Sequence, residues 1–402
     1  MKLKGAYLYV VIAMCGLSAA TVGLITNLAG LFFTPMAEEF GILQGASSLM
    51  LTIANICVAL GGLATRRLTK MMPLRVLLIA GTAILAGSSV LTAFAPSIYV
   101  AYVLSALRGL AGGIIGFVLV TYILNKWFVE QLGLVTSLAM GSSGLAGAAL
   151  TPVVQMVVSS MGWRAGQMAV GVLAALLCLP AILLVPSCDP KGAGLTAFGA
   201  KDAPAKTVTS AGNAPVSVDK LLFGAVVLYS ALMAATTAMP QHFPGLAENV
   251  GLGTSLGAAM ISASMVFNTA GKVAMGWLCD RIGAKKSVFV YAALVLAAIA
   301  GLLVVRTPMA YLVAGGVYGL GYSFATVALS MMCRELFGQR GAGIVYPVGN
   351  LGCSFSNAIF SSVVGFGYDL TGGYAISLVG FAAFIVCAVA LVAWGYGKQQ
   401  AA

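Results

Sequence analysis

One lysine lies in the middle of a long apolar segment, where its charge could bind an anion. Lys272 is in the stretch 267–273, and Asn268 precedes it by four residues. Residues spaced by four fall on one face of a helix. An ammonium group and an amide donor that converge on one point could hold a carboxylate through charge-assisted hydrogen bonds. Two structural explanations stay open for Lys272: pairing with a buried carboxylate, or extension of its side chain to the aqueous surface.

The second cation inside an apolar segment is Arg108, about two turns from the segment's start. Arg108 could contact a substrate or act in gating, or it could hydrogen-bond the backbone carbonyls of neighbouring helices. No carboxylate is expected beside either cation, because every acid falls in a loop or at the end of an apolar segment. The ten acids are Glu38, Glu39, Glu130, Asp189, Asp202, Asp219, Glu248, Asp280, Glu335 and Asp369.

Other polar residues inside apolar segments could line a cavity, and for each of them a hydrogen bond between helices is an equal alternative. These residues are Asn27, Asn55, Tyr122, Tyr318 and Tyr322. Asn350, which follows Tyr346, lies in the middle of another apolar segment. His242, the only histidine of the sequence, lies between Pro240 and Pro244 at the expected outer end of an apolar segment. It could belong to an outer gate, or it could be an interfacial histidine without a function.

The apolar segments that carry these residues predict an all-α integral membrane protein. Hydrophobic residues make up 60% of the 402 positions and charged residues 8%, against about 25% charged residues in a soluble domain. A bilayer core is crossed by about 20 apolar residues. Twelve such runs are present, near 6–33, 43–65, 74–95, 97–124, 132–159, 165–186, 221–243, 254–279, 287–305, 308–332, 342–366 and 373–396. We therefore expect a first six-helix bundle over 1–186, a flexible cytoplasmic linker over 187–220, and a second bundle over 221–402.

The distribution of basic residues supports twelve spans with both termini in the cytoplasm. With that topology, 17 of the 21 Lys and Arg residues fall inside and only Arg164 and Arg306 fall outside, as the positive-inside rule requires. The net charge of +11 thus reports topology, and a nucleic-acid partner is not expected. The eight cysteines show no paired spacing, so we expect neither disulfides nor a metal site. The apolar stretch that follows Met1 is too long for a signal peptide, and we interpret it as a retained first span.

The two halves of the sequence repeat each other. The segment 61–66 matches 276–281, the segment 108–110 matches 318–320, and Gly141 and Gly144 match Gly349 and Gly352. All these matches occur in the same order, at offsets of 208 to 215 residues. Two parallel six-span repeats are typical of secondary transporters, whose substrate site lies near the bilayer midplane. The sequence therefore predicts two pseudo-symmetric bundles and the movement of a small solute across a membrane.

Several motifs resemble the major facilitator superfamily over essentially the whole chain. Residues 276–286 are similar to its loop motif G-x-L-x-D-R-x-G-[RK]-[RK], whereas in the first-half counterpart Thr65 replaces the acid and Leu68 the glycine. Residues 126–128, followed by a glycine-rich span, and residues 368–372 resemble the bacterial oxalate:formate antiporter and monocarboxylate transporter branch. The chain departs from that branch after Trp127-Phe128, where Leu132-Gly133 stands in place of Arg-Gly.

The resemblance implies a role for several residues. Lys272 occupies the position of a substrate-carboxylate ligand, and the neutral Asn350 stands near the second cation of dicarboxylate carriers, which favours a substrate with one carboxylate. Asp280 and Arg281 would contribute to a cytoplasmic charge lock. The substrate-binding candidates are Lys272, Asn268, Arg108, Asn350, Tyr346, Tyr318, Tyr322, Asn27 and Tyr122.

The expected function is transport of a small organic anion, by exchange or facilitated diffusion, across a bacterial cytoplasmic membrane by a monomer. Proton linkage through Lys272 stays open, because a buried lysine can deprotonate. Efflux of drugs or other amphiphiles is the alternative. An enzyme is not expected, since acids and further histidines are missing from the apolar segments, and no cofactor is implied.

Overall fold

The computed structural model describes residues 5–199 and 219–401, and within these ranges it forms helices and no strands. The first and last residues and most of the predicted linker, residues 200–218, lie outside the described part. In chain order the α-helices are α1 Ala6–Ser18, α2 Phe33–Phe40, α3 Gln44–Met71, α4 Leu74–Thr92, α5 Ile98–Ile115, α6 Phe117–Trp127, α7 Leu132–Leu184, α8 Lys220–Thr236, α9 Phe243–Asn249, α10 Thr254–Val304, α11 Pro308–Tyr318, α12 Leu329–Thr371 and α13 Ala375–Ala401.

Three of the long helices are broken by a glycine with positive φ: Gly162 in α7, Gly283 in α10 and Gly338 in α12. A straight helix of 53 residues would be about 80 Å long, far more than the roughly 30 Å of a bilayer core. In the described part, nine helical stretches are long and apolar enough to span a membrane, and two of them have 51 residues and contain such a break. The architecture is therefore consistent with the twelve predicted spans.

The chain divides into two compact units. Unit 1 comprises Met1–Ala29 and Ile53–Ala214, and unit 2 comprises Gly30–Thr52 and Pro215–Ala402. Unit 2 thus includes a short piece of the first half of the chain. The bundle limits at residues 186 and 221 stay a prediction.

The sequence repeat is visible in the helix crossings inside each unit. Gly109 of α5 packs so closely on α3 that a Cβ atom there would lie 2.3 Å from the carbonyl oxygen of Ala54. Gly319, which follows α11, packs on α10 in the same way, and a Cβ atom would lie 2.1 Å from the carbonyl oxygen of Ser264. Only glycine allows backbones to approach this closely. The two glycines that match in the sequence repeat therefore make the same kind of close helix contact in their respective units.

The first part of the linker is not a free, solvated chain as the composition predicts. The amide of Phe198 donates to the carbonyl of Trp127 over 2.8 Å, and the amide of Val129 donates back to the Phe198 carbonyl over 2.9 Å. Tyr7 donates to the Thr196 carbonyl over 2.8 Å. Aromatic packing is the reason, since the Phe198 ring lies 5.3 Å from that of Tyr7 and its apolar surface is removed from water.

Candidate functional site

Lys272 is held on α10 about three turns before the break at Gly283. Its side chain is half-buried, and in residues 5–199 and 219–401 it has no hydrogen bond and no ion pair. Pairing with a buried carboxylate is therefore not what holds Lys272 in this conformation. A cation inside a membrane helix usually pairs with another group or lines a substrate path, so an unpaired lysine at this position is free to take an anion.

Asn268 lies one turn before Lys272, buried at 7% exposure. Its Nδ2 donates to the sulfur of Met265 over 3.9 Å, and its Oδ1 has no partner among the described residues. The predicted convergence of two donors is therefore incomplete, because the amide is turned toward a weak acceptor on its own helix. A buried acceptor without a donor is costly, so Asn268 would gain from a ligand or a turn of its amide.

The turn after α11 supplies a third polar side chain to this region that the sequence analysis missed. Ser323 is fully buried, and its Oγ has no hydrogen-bond partner in the part of the chain that the structure describes. A Cβ atom at Gly271 would lie 3.3 Å from that oxygen, so Ser323 lies against α10 beside Lys272. The signal was indirect: Ser323 follows Gly319 and Gly321, which allow close packing.

The tyrosine candidates of unit 2 differ in their contacts. Tyr318 is buried and donates to the carbonyl of Thr236 over 2.9 Å, which is the interhelical hydrogen bond of the two predicted alternatives. Tyr322 and Tyr346 are half-buried, and the backbone carbonyl of Tyr322 accepts the Thr326 hydroxyl over 3.0 Å. Asn350 lies one turn after Tyr346 on α12 and is exposed. Their contact with a substrate stays a prediction.

Arg108 has a different environment, inside unit 1. Its side chain is buried at 5% exposure, and its Nη1 donates to Oε1 of Gln167 on α7 over 3.4 Å. Its Nε has no partner within residues 5–199 and 219–401. The predicted structural alternative placed Arg108 on backbone carbonyls, whereas the observed partner is a neutral side-chain amide 59 residues away in the sequence.

The other two candidates of unit 1 also make contacts inside that unit. Asn27 donates to the carbonyl of Ser143 over 3.3 Å. The ammonium group of Lys126 lies 4.9 Å from the centre of the Tyr122 ring. Both arrangements join or brace helices, and substrate contact for Asn27 and Tyr122 stays a prediction.

His242 is buried within unit 2, where its side chain is only 2% exposed. Its Nε2 lies 2.8 Å from the carbonyl oxygen of Ser361. Its ring lies 5.2 Å from that of Phe33 and 5.9 Å from that of Tyr374. The burial results from α2, which unit 2 takes from the distant first half of the chain.

Within unit 2, Asp369 holds the start of α3, which comes from the first half of the chain. This role was not predicted from the sequence. Its two carboxylate oxygens accept the amides of Gln44 over 2.9 Å and Gly45 over 2.7 Å, at the start of α3. An anion at a helix N-terminus satisfies free amides and the helix dipole. The hydroxyl of Tyr374 donates to Oε1 of Gln44 over 2.6 Å. A gating role for His242 in this network stays a prediction.

The loop motif of unit 2 shows an acid that the sequence analysis did not single out. Asp280 and Arg281 are exposed, and Arg281 lies 4.2 Å from the centre of the Trp277 ring. Glu335 accepts the amide of Ala284 over 2.9 Å, directly after the break in α10, and also accepts the Tyr396 hydroxyl. The predicted charge lock through Asp280 and Arg281 stays a prediction.

Taken together, α10 of unit 2 carries Lys272, whose ammonium group is unpaired in the described residues, and Asn268. Ser323 packs against the same helix at Gly271. A model of the Major Facilitator Superfamily matches residues 15–361. The chain belongs to the Major Facilitator Superfamily. The predicted fold is thereby confirmed, and the members of this family are multi-pass membrane transporters and not enzymes.

Among characterised relatives, the chain is similar to monocarboxylate transporter 12-B of Danio rerio, with 25% identity over 314 residues. That match covers 70% of this chain and 64% of the relative, so the chain spans under two thirds of the relative's length.

Solved structures share the fold over nearly the whole chain. A bacterial homologue of the human lysosomal transporter Spinster, in an inward-facing and occupied conformation, superposes with a TM-score of 0.71 at 15% identity, covering 99% of this chain and 98% of that one. A point mutant of the nucleoside transporter NupG superposes with a TM-score of 0.72 at 12% identity, covering 96% and 99%. At these identities the likeness concerns the fold alone.

Proposed function

We propose that this transporter moves a small organic anion with one carboxylate by alternating access, and that Lys272 is the counter-ion of that carboxylate. The single observation that carries the proposal is the half-buried ammonium group without a partner in the described part of the chain. Burying a charge is costly unless it is paired. A bound carboxylate would supply the pairing through a charge-assisted hydrogen bond.

The single negative charge of the proposed anion is inferred from the residue at the second predicted ligand position, Asn350. Asn350 is a neutral amide, so it offers no second positive charge to a second carboxylate. The 25% identity to a monocarboxylate transporter supports the same substrate class. Asn268 and Ser323 would contribute hydrogen bonds after small side-chain rotations, because each has a polar atom that lacks a partner.

The unpaired lysine also favours exchange over net flux. When the site is empty, reorientation would carry an uncompensated charge through the low-dielectric interior, and this raises the barrier. When the site is loaded, the anion compensates the charge. Coupling to a proton is the second route, in which Lys272 releases its proton when the site is empty.

The proposal extends to the placement of the protein. We propose that it lies in the cytoplasmic membrane of a bacterium as a monomer, with both termini and the linker on the cytoplasmic side. The count of basic residues in the loops supports this orientation.

The test is counterflow of radiolabelled lactate, formate and acetate into proteoliposomes. We expect Lys272→Gln to reduce counterflow roughly 30-fold or more, because loss of one partner of a buried charge pair costs about 2–5 kcal/mol. Lys272→Arg keeps the charge and should retain part of the activity. Lys70→Gln removes an exposed lysine at the end of α3 and serves as the matched control.

The competing function is examined in the same vesicles. Small monocarboxylates in excess should block the labelled counterflow, whereas lipophilic cations should not. Full counterflow by Lys272→Gln would refute the assignment of the site, and competition by lipophilic cations alone would favour efflux of amphiphiles.

A further inference from the structure

A groove on unit 2 has the shape and polarity of a site for an amphipathic molecule. It runs between the start of α8 and the end of α13 and has a volume of about 510 Å³. Its floor and walls are formed by Leu221, Gly224, Ala225, Leu228, Leu391 and Trp394. Leu221 is 68% exposed and Trp394 46% exposed, so the groove opens to the surface and not into the core of the unit.

One end of the groove is positively charged. Lys220, the first residue of α8, lines it. Lys220 is exposed and has no ion pair in the part of the chain that the structure describes. The neighbouring Lys398 differs, because it donates to the carboxylate of Asp219 over 2.5 Å. That contact lowers the pKa of Asp219. It gives Lys398 a carboxylate partner, whereas Lys220 has none among the described residues.

An aromatic ring lies at the same end. Trp394 lines the groove, and the ammonium group of Lys398 lies 5.6 Å from the centre of its ring. Tryptophan is enriched where a membrane helix passes from hydrocarbon to headgroup. The apolar part of the groove, from Leu221 to Leu228, runs along α8 away from the charged end. If the candidate span 220–249 crosses a bilayer, this arrangement would put the apolar surface in the hydrocarbon and the cation at the headgroups.

We propose that this groove binds one anionic phospholipid, with an acyl chain against Leu221, Gly224 and Leu228 and the headgroup phosphate at Lys220. The bilayer is the source of such a molecule, and both halves of the ligand are matched: the hydrocarbon by the apolar walls, the phosphate by the uncompensated ammonium group. A small carboxylate matches only the charged end. The lipid site is separate from Lys272, which lies on α10.

Gly224 allows the apolar half of the site to be tested by itself. A Cβ atom at this position would meet no atom within 4 Å, and the residue is in the regular helix α8. A leucine there would extend into the groove without backbone strain. Gly224→Leu should therefore exclude the acyl chain while the helix stays intact.

The test is native mass spectrometry of the purified full chain with phosphatidylglycerol or phosphatidylcholine carrying identical acyl chains. One basic residue near the membrane surface contributes about 1 kcal/mol to anionic-lipid binding, which is about fivefold. We expect wild type to prefer phosphatidylglycerol by about fivefold, and Lys220→Gln to lose that preference with unchanged binding of phosphatidylcholine. Gly224→Leu should lower binding of both lipids.

Lys70→Gln again removes an exposed lysine elsewhere and should keep the preference. Inorganic phosphate at equal concentration should not displace the lipid, because it cannot use the apolar walls. Equal binding of the two lipids by wild type, or an unchanged preference in Lys220→Gln, would overturn the proposal. Unchanged binding of both lipids by Gly224→Leu would place the lipid elsewhere. Thermal unfolding of each variant checks that it is folded.

Discussion

Arg108 and Lys272 are the two cations inside predicted spans, one in each unit, and their surroundings differ. Arg108 is buried and held by Gln167, whereas Lys272 is half-buried and unpaired in the described residues. A guanidinium group with a fixed partner is suited to joining helices. An ammonium group without one is suited to a ligand that comes and goes. The two repeats therefore use their buried cations differently: Arg108 joins helices, and Lys272 is suited to binding a ligand.

The difference extends to the loops that follow the second and eighth predicted spans. In unit 2, Gly283 breaks α10 with φ 82° and ψ 159°, and Glu335 caps the helix that resumes at Ala284. In unit 1, Leu68 occupies the glycine position and α3 continues to Met71 before Pro73 ends the helical path. The unit that carries the unpaired cation thus also keeps the glycine and acid of the loop motif.

Thr65 shows what replaces the acid of the motif in unit 1. Its side chain is buried at 1% exposure, and its hydroxyl contacts the carbonyl oxygens of Gly61 at 3.2 Å and Ile114 at 3.1 Å. Asp280, at the matching position, is exposed. At matching positions of the repeat, Thr65 therefore makes a buried contact between helices, whereas Asp280 is a charged group at the surface.

The first and largest expected effect separates the two cations by ligand binding. Lys272→Gln should weaken binding of a monocarboxylate to the purified protein roughly 30-fold or more, for the reason given for transport. Arg108→Gln should change that binding by less than about threefold, which is under about 0.7 kcal/mol. The reason is that Arg108 contacts Gln167 and not the proposed substrate. Isothermal titration calorimetry in detergent measures both. Equal losses in the two variants would show that both cations contact the substrate, and the contrast would disappear.

Much of the contrast between Arg108 and Lys272 could be predicted from the sequence, and the parts that could not have physical causes. The fold could be predicted from the apolar runs and from the sequence repeat of the two halves. The position of the unpaired lysine could be predicted from its spacing to Asn268, which is a local pattern. Gln167 lies 59 residues from Arg108, and no periodicity joins residues at that distance. The direction of the Asn268 amide depends on Met265, whose sulfur gives no sequence signal as an acceptor.

Long-range packing explains the other misses. His242 is buried by Phe33, which is over 200 residues away, so its local sequence between two prolines indicated only an end of a span. Phe198 stands in a stretch whose composition predicts a flexible chain, yet its ring packs against Tyr7. A single aromatic residue can bury enough area to fix a segment, and average composition does not detect it.

The second prediction concerns stability and compares Gln167, the partner of Arg108, with Asn268, which lies one turn from Lys272. Gln167→Leu removes the hydrogen bond of Arg108 and leaves a buried cation without one, so unfolding should become easier by about 1.5–3 kcal/mol. Asn268→Leu removes a buried oxygen that already lacks a partner and should leave stability unchanged or higher. Thermal unfolding monitored by size-exclusion chromatography in detergent compares the two. A larger loss in Asn268→Leu than in Gln167→Leu would reverse the proposed division of tasks.

The smallest expected effect concerns the loop that only unit 2 keeps. Gly283 has a backbone conformation that essentially only glycine adopts, so Gly283→Ala should cost about 1–3 kcal/mol. It should also disturb the contact of Glu335 with Ala284, because the strained residue adjoins that amide. Gly224→Ala is the matched control: it lies in a regular helix with open space around the added methyl group and should be neutral or stabilising by roughly 0.5–1 kcal/mol. The same thermal assay applies to both variants. If Gly283→Ala is as stable as Gly224→Ala, the break in α10 does not depend on glycine, and the replacement by Leu68 in unit 1 would not explain why α3 continues to Met71.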